Sequence, residues 1–260
     1  MLEQSFSIYH VEYFLAILVR VMGAMALAPI FANQNVTRRA KLFIGIAIAF
    51  AIFNVYPYVP LNYTTFIEYT VILLKELMVG LTIGFTANIT LTILNMAGQF
   101  IDREMGFSMV SNFDPTMNTD ATITAQFYNM LAMVLMLCTN MHYFVISALA
   151  DSFTLIPLGN VVIDSGTILD KMVQYMTNYF TIALRICLPM LIVIMLLNVV
   201  LGVLAKTAPQ MNMFVVGIQL KVFSGFAVLV VTIGFLPNIV QFIYDEMRSI
   251  VVEILKAFYV

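Results

Sequence analysis

The triplet Asp102-Arg103-Glu104 is the densest group of acid–base side chains in the sequence. Two carboxylates beside a guanidinium could transfer protons if they faced one pocket. Adjacent residues on a helix point in different directions, however, so the triplet favours a polar patch over an acid–base site. His10 and His142 stand apart from each other, and neither belongs to a group of cysteines and carboxylates large enough to predict a metal site.

The motifs of common enzyme classes are also missing from the sequence. There is no glycine-rich phosphate loop, no HExxH and no GxSxG. Cys138 and Cys187 both lie in apolar runs, where a thiol behaves as a small hydrophobic side chain. The sequence therefore predicts no enzyme, no catalytic residues, no cofactor and no metal site.

The composition is that of an integral membrane protein. Of the 260 residues, 62% are hydrophobic and only 10% are charged, and the mean hydropathy is +0.98. Soluble domains carry roughly a quarter charged residues. A net charge of −2 also argues against a nucleic-acid partner.

Apolar segments that approach the ~20 residues of a membrane span recur along the chain. We place them at 11–31, 42–57, 69–97, 123–150, 177–205 and 213–236. Residues 238–260 predict an amphipathic helix, because apolar residues recur there every three or four positions. That helix could lie on a membrane surface or pack against protein. The predicted fold is an all-α membrane protein of about six long apolar helices, some of them broken, plus a C-terminal amphipathic helix, forming one domain over residues 1–260.

Two segments interrupt this pattern. A polar, proline-marked break over 206–212 separates the last two apolar helices, and we expect Pro209 to end or kink the helix there. The sequence also predicts two long loops, 98–122 and 151–175, and residues 151–159 of the second are too apolar for a solvated turn. Irregular backbone of this kind is tolerated at membrane depth only where protein or a water-filled cavity covers it.

Several charged residues fall inside or beside the apolar segments: Glu12, Arg20, Lys75, Glu76, Arg185 and Lys221. They could extend to the membrane surface from the helix ends or face protein. Glu76, Gly80, Gly84 and Asn88 follow one another at steps of four residues, which favours a close helix–helix contact. This seam could lie inside the chain or against a neighbouring subunit.

The sequence resembles the flagellar biosynthetic protein FliR family and, more distantly, the corresponding subunit of virulence-type secretion systems. The resemblance is carried by two blocks of short motifs. The first comprises 75–85 (KELMVGLTIGF), 97–102 (AGQFID), 105–107 (MGF), 113–115 (FDP), 152–153 (SF) and 156–159 (IPLG). The second comprises 197–198 (LN), 201–202 (LG), 208–214 (APQMNMF), Gly217 and Lys221.

This resemblance implies a subunit of the flagellar export gate, built from helical hairpins, in the bacterial cytoplasmic membrane at the flagellar basal body. The expected partners are the P and Q subunits, the B-type switch subunit and unfolded flagellar proteins in transit. We expect an assembly interface at Glu76, Gly80, Gly84, Asn88, Pro209, Gln210, Asn212, Phe214 and Lys221.

A conduit for unfolded chains must also prevent ions from leaking through it when it is empty. Flexible apolar side chains suit this role, because they can close on one another. The loop 105–122 carries such side chains, and the resemblance implies that it forms a plug inside the conduit. The proposed gate residues are Met105, Gly106, Phe107, Met109, Phe113, Asp114, Pro115 and Met117. An ordinary interfacial loop with apolar anchors is the alternative for this segment. For the whole chain, the alternatives are a secondary transporter, a small-molecule channel or a passive scaffold.

Overall fold

Helices make up most of the computed structural model, which describes residues 8–32, 36–107, 122–162 and 165–258. No β-strand occurs within these ranges. The helices are α1 (Ile8–Leu27), α2 (Pro29–Ala32), α3 (Arg38–Val55), α4 (Phe66–Met105), α5 (Ile123–Cys138), α6 (His142–Leu155), α7 (Ser165–Thr207), α8 (Met213–Ile233) and α9 (Leu236–Ala257).

Four of these helices are long and apolar enough to cross a membrane. They contain the candidate spans Tyr9–Leu27, Phe66–Met105, Gly166–Thr207 and Met213–Ile233. A fifth span results if α5 and α6, which a short turn separates, are counted together. Of the predicted segments, 42–57 is the one whose helix, α3, is not among these spans. The predicted all-α membrane class is confirmed.

Two helices are longer than the sequence indicated. Residues 98–105 were expected to form a loop, but they continue α4. Residues 165–175 were also expected to be irregular, but they form the first turns of α7. Both stretches are polar enough to resemble loops. Their helical form is held by tertiary contacts: Tyr175, for example, is buried and donates a hydrogen bond of 2.9 Å to the carbonyl of Thr86.

The predicted continuous segment 123–150 is broken in the structure. α5 ends at Cys138, and a turn precedes α6. Asn140 in that turn has φ = 57°, a left-handed conformation that asparagine adopts more readily than most residues. The sequence did not locate this break, because the turn contains no proline or glycine to mark it.

The C-terminal helix α9 packs against protein along one face. Its buried side chains recur every three or four residues and are Val240, Ile243, Tyr244, Met247, Val251, Ile254 and Leu255. Of the two alternatives that the sequence left open for this helix, packing against protein is the one that the structure shows.

The described residues form two compact units. One takes its residues from Met1–Ile89, Thr139–Tyr175 and Asp245–Val260. The other takes them from Thr90–Cys138 and Met176–Tyr244. We refer to them below as the first and the second unit.

Candidate functional site

A fully buried ion pair joins α1 to α4 in the first unit. Arg20 Nη2 lies 2.5 Å from Glu76 Oε2, and Arg20 Nε donates to the same oxygen at 2.6 Å. Neither side chain is exposed to solvent. Buried charges are costly unless they are paired and hydrogen-bonded, so the rest of the guanidinium and the carboxylate also need partners.

Arg20 finds those partners at the C-terminal end of α6. Its Nη1 donates to the carbonyl oxygens of Ser152 at 2.9 Å and Ile156 at 3.1 Å, and it lies 3.3 Å from Ser152 Oγ. The face of the guanidinium covers the ring of Phe153, 4.4 Å from its centroid. The Ser152 carbonyl also accepts the backbone N–H of Ile156 at 2.9 Å, so the guanidinium is a second donor to this helix end and places its charge among carbonyl oxygens.

The second oxygen of Glu76 binds the turn that follows α6. Glu76 Oε1 accepts a hydrogen bond of 3.1 Å from the backbone N–H of Gly159. Gly159 has φ = 81°, which a residue with a side chain rarely adopts. Ser152, Phe153, Ile156 and Leu158 are all buried. The cover that we expected for this apolar segment is therefore supplied by the chain itself.

Arg20 and Glu76 can reach each other because α1 and α4 approach closely. A methyl group added to Gly80 would lie 2.1 Å from the carbonyl oxygen of Arg20, and one added to Gly84 would lie 2.3 Å from that of Ala24. The two backbones are therefore in contact over one helical turn. Glu76, Gly80 and Gly84 lie at a seam inside the chain, while Asn88 further along α4 is half-buried.

In the second unit, Asp102 fastens the end of α4 to the start of α5. Its carboxylate accepts hydrogen bonds from the backbone N–H of Thr124 at 2.8 Å and of Ala125 at 3.4 Å, and from the hydroxyl of Thr124 at 2.5 Å. Asp102 is fully buried. It acts as a helix cap supplied from a distant part of the chain. The sequence indicated a polar patch at Asp102, but it did not indicate this cap.

The described part of the proposed plug is packed at its base. Met105 is fully buried, and its Cε would lie 2.4 Å from a methyl group added to Gly225. Gly106, with φ = 90°, follows the end of α4, and the ring of Phe107 lies 6.0 Å from that of Phe226. Met105 thus anchors the segment. The remaining predicted gate residues lie outside the described residues: Met109, Phe113, Asp114, Pro115 and Met117.

The predicted break after α7 is present, and it is exposed. α7 ends at Thr207, two residues before Pro209. Asn212 caps α8 by accepting a hydrogen bond of 3.2 Å from the N–H of Phe214. The side chains of Pro209, Gln210 and Asn212 are exposed, Phe214 is 65% exposed, and Lys221 is half-buried. Most side chains of this break are therefore exposed to solvent.

Among the residues that the structure describes, no three His, Cys, Asp or Glu side chains lie close enough together to hold a metal ion. The clusters around Arg20 and Asp102 hold backbone in place. They do not present reactive atoms to a cavity. The sequence analysis identified Arg20 as a charge within an apolar segment, but it did not pair Arg20 with Glu76. The signal for that pair is that opposite charges lie in two separate apolar helices.

Comparison with known proteins gives consistent matches along the chain. Residues 11–247 match the family described as bacterial export proteins, family 1. The chain is 29% identical over 239 residues to the flagellar biosynthetic protein FliR of Pectobacterium carotovorum subsp. carotovorum, covering 91% of this chain and 90% of that one. It is 28% identical over 241 residues to FliR of Escherichia coli strain K12, covering 92% and 91%.

A shorter match extends to a second kind of protein. The chain is 29% identical over 150 residues to the surface presentation of antigens protein SpaR of Shigella flexneri, covering 58% of this chain and 57% of that one. The family match spans most of the chain, including both units and the residues of the two buried clusters. The chain belongs to the bacterial export proteins, family 1.

Proposed function

We propose that this chain, 1–260, works as one membrane-embedded domain that helps to form and to seal a conduit for unfolded flagellar proteins. The chain is a subunit of the flagellar type III protein export gate. The observation that carries this conclusion is the match to FliR proteins over about nine tenths of both chains. A secondary transporter or small-molecule channel is not favoured by these relatives.

The buried clusters around Arg20 and Asp102 support separate roles for the parts of the chain: these clusters anchor helices, and the segment between α4 and α5 forms the seal. The ion pair of Arg20 and Glu76 fixes the first unit, and Asp102 fixes the ends of α4 and α5 in the second. Between those fixed ends, the sequence supplies Met109, Phe113 and Met117. Flexible apolar side chains on a firmly anchored base suit a seal that must open for varied chains and close again.

The exposed break between α7 and α8 is the part of the proposed assembly interface that a partner can reach. Pro209, Gln210, Asn212 and Phe214 are exposed there. We assign to this surface the companion P and Q subunits, and we include the B-type switch subunit among the partners. The complex would lie in the bacterial cytoplasmic membrane at the flagellar basal body. We assign the chain no enzymatic step.

The test of gate function is export from cells that carry an in-frame deletion of the gene. We expect hook and filament proteins to disappear from the culture medium while the basal membrane ring still forms, and the gene supplied in trans to restore them. Normal secretion and motility in the deletion strain would overturn the export-gate function. A deletion strain that lacks the ring would support the passive scaffold instead.

The sealing role needs a separate test, because a gate subunit could export protein without forming the seal. Met109 and Met117 are replaced together by glycine, and Met141, a half-buried methionine in the turn before α6, is replaced as the control. We expect a higher ion conductance across membranes holding the assembled complex for M109G/M117G alone. Unchanged conductance in complexes assembled at normal yield would overturn the seal.

A further inference from the structure

A small cavity opens beside the first turns of α1, where the connection from α3 to α4 passes. Its volume is about 190 Å³, and it is lined by Tyr9, Glu12, Tyr58, Pro60, Leu61 and Tyr63. Pockets for drug-sized ligands measure about 300–1,000 Å³. This cavity therefore suits a small chemical group, such as the end of a longer molecule or a small ion.

Three of the six lining residues are tyrosines, and neighbouring aromatic rings contact two of these tyrosines. Tyr58 stacks on His10, with ring centroids 4.6 Å apart, and forms a T-shaped pair with Tyr13, with centroids 5.2 Å apart. Tyr63 lies 5.2 Å from the ring of Tyr69. The face of an aromatic ring carries partial negative charge, so a cavity with several such rings favours a cation.

Glu12 adds a full negative charge to this wall. The hydroxyl of Tyr63 donates a hydrogen bond to Glu12 Oε2. Oε1 accepts no hydrogen bond from any residue that the structure describes, and neither ion pair found among those residues includes Glu12. The carboxylate is only partly exposed, and it faces tyrosines where a counterion would be expected.

The bond to Glu12 also fixes the protonation of Tyr63. This hydrogen bond raises the pKa of Tyr63 to about 12, because only the protonated hydroxyl can donate it. Because this pKa is raised above the ordinary value of 10, the hydroxyl remains a donor throughout the physiological range.

We propose that this cavity binds an alkylammonium group, with Glu12 as its counterion and the rings of Tyr9, Tyr58 and Tyr63 around its alkyl substituents. Aromatic faces with a nearby carboxylate are the chemistry that recognises such ions. The cavity lies at the start of the candidate span Tyr9–Leu27. Tyrosines are frequent where a span meets the interface. A soluble amine and the amine of a lipid headgroup can both approach there.

The first experiment tests whether the cavity recognises the positive charge of the ligand or only its shape. The full chain, purified in a non-ionic detergent, is titrated with choline and with its neutral isostere 3,3-dimethylbutan-1-ol, and binding is followed by ligand-detected saturation-transfer NMR. We expect saturable binding of choline and none of the alcohol at the same concentrations. Equal signals from both compounds, or no saturable choline binding, would overturn the proposal.

Variants then locate the binding. Glu12→Gln keeps an acceptor for the hydroxyl of Tyr63 but removes the charge, and it should weaken choline binding about three- to tenfold. Tyr58→Leu should weaken it about two- to fivefold through loss of one aromatic face. The control is Glu68→Gln, a carboxylate that hydrogen-bonds Thr64 and does not line the cavity.

Each variant is compared with wild type by circular dichroism and by elution volume, so that a misfolded chain is not counted as a binding loss. Tyr63→Phe is a second test of the role of Glu12, because this variant keeps the aromatic ring and removes only the hydroxyl that binds Glu12 Oε2. Choline should still bind this variant. Unaltered affinity in a folded Glu12→Gln chain would exclude the cavity as the site.

Lipid nanodiscs identify the source of the amine. Choline affinity is measured in nanodiscs of phosphatidylglycerol with and without phosphatidylethanolamine. A weaker apparent affinity in the presence of phosphatidylethanolamine, abolished in Glu12→Gln, would show that headgroups occupy the cavity. An identical affinity in both would show that soluble amines are the ligand.

Discussion

Arg20 and Glu76 are separated by 56 positions in the sequence, yet their charged atoms lie 2.5 Å apart with both side chains fully buried. A pair of this kind stabilises less than its short distance indicates, because both charges were removed from water. Its energetic importance lies in what happens when one partner is lost. The remaining charge would then be buried with no counterion.

Removing one partner of this pair should therefore destabilise the chain strongly. We expect Arg20→Met or Glu76→Gln to cost about 3–5 kcal/mol, seen as a lower temperature at which the detergent-purified chain loses its monomeric elution peak. The double variant R20M/E76M should be less damaging than the sum of the single ones. The exposed pair of Lys171 and Glu253 supplies the control, and Glu253→Gln should leave that temperature unchanged. Single variants as stable as wild type would contradict the expectation.

Glycine substitutions test the close approach of α1 and α4. Gly80→Ala and Gly84→Ala would place a methyl group 2.1 and 2.3 Å from backbone oxygens of α1, so the helices must separate. Overpacking of this kind costs about 1–3 kcal/mol or more. Gly202→Ala is the matched control, since nothing lies within 4 Å of the added carbon. The same thermal assay should rank Gly202→Ala at or above wild type and the other two well below it.

Loss of the Asp102 cap should loosen the start of α5. Asp102→Ala leaves the N–H groups of Thr124 and Ala125 without their acceptor. Loss of a cap costs about 0.5–2 kcal/mol. Hydrogen–deuterium exchange should become faster at residues 123–126, while Arg103→Gln, an exposed change on the same turn, should not alter it. Unchanged exchange in D102A would mean that other contacts hold this helix end.

Substitutions at the exposed break test the proposed assembly interface. P209A/Q210A should abolish co-purification with the P and Q subunits and leave the thermal stability of the isolated chain unchanged, because both side chains are exposed. Gln241→Ala, an exposed glutamine on α9, is the control for the loss of a surface amide. Normal assembly with altered export would indicate instead that the break contacts the exported chain.

Much of this fold could be predicted from sequence because lipid-compatible helices leave a strong signal. The hydropathy pattern located the helices, and proline with polar neighbours located the break after Thr207. Predictions failed where tertiary contacts outweigh local composition. Residues 98–105 look like a loop by polarity, but a buried Asp102 satisfies the backbone of α5 from within a helix.

The sequence predicted which residues belong to the candidate site better than it predicted the contacts between them. Intramembrane charges at Arg20 and Glu76 are conspicuous in apolar sequence, and the Gly80–Gly84 spacing predicts close packing. Periodicity describes one helix at a time, so it cannot identify the partner of a charge. The carbonyls of Ser152 and Ile156 carry no sequence signal at all, since every residue has one.

The distances in sequence between Arg20 and its partners set an order of events during synthesis. Arg20 leaves the ribosome 56 residues before Glu76 and 136 residues before Ile156. At about 5–20 residues per second, the guanidinium waits about 7–27 s for its last acceptor. An unpaired arginine in a membrane span costs about 2.5–3.5 kcal/mol on insertion scales. α1 is therefore expected to settle into the bilayer late, after α4 and α6 have been made, so that a truncated nascent chain would leave its first span exposed to membrane quality control.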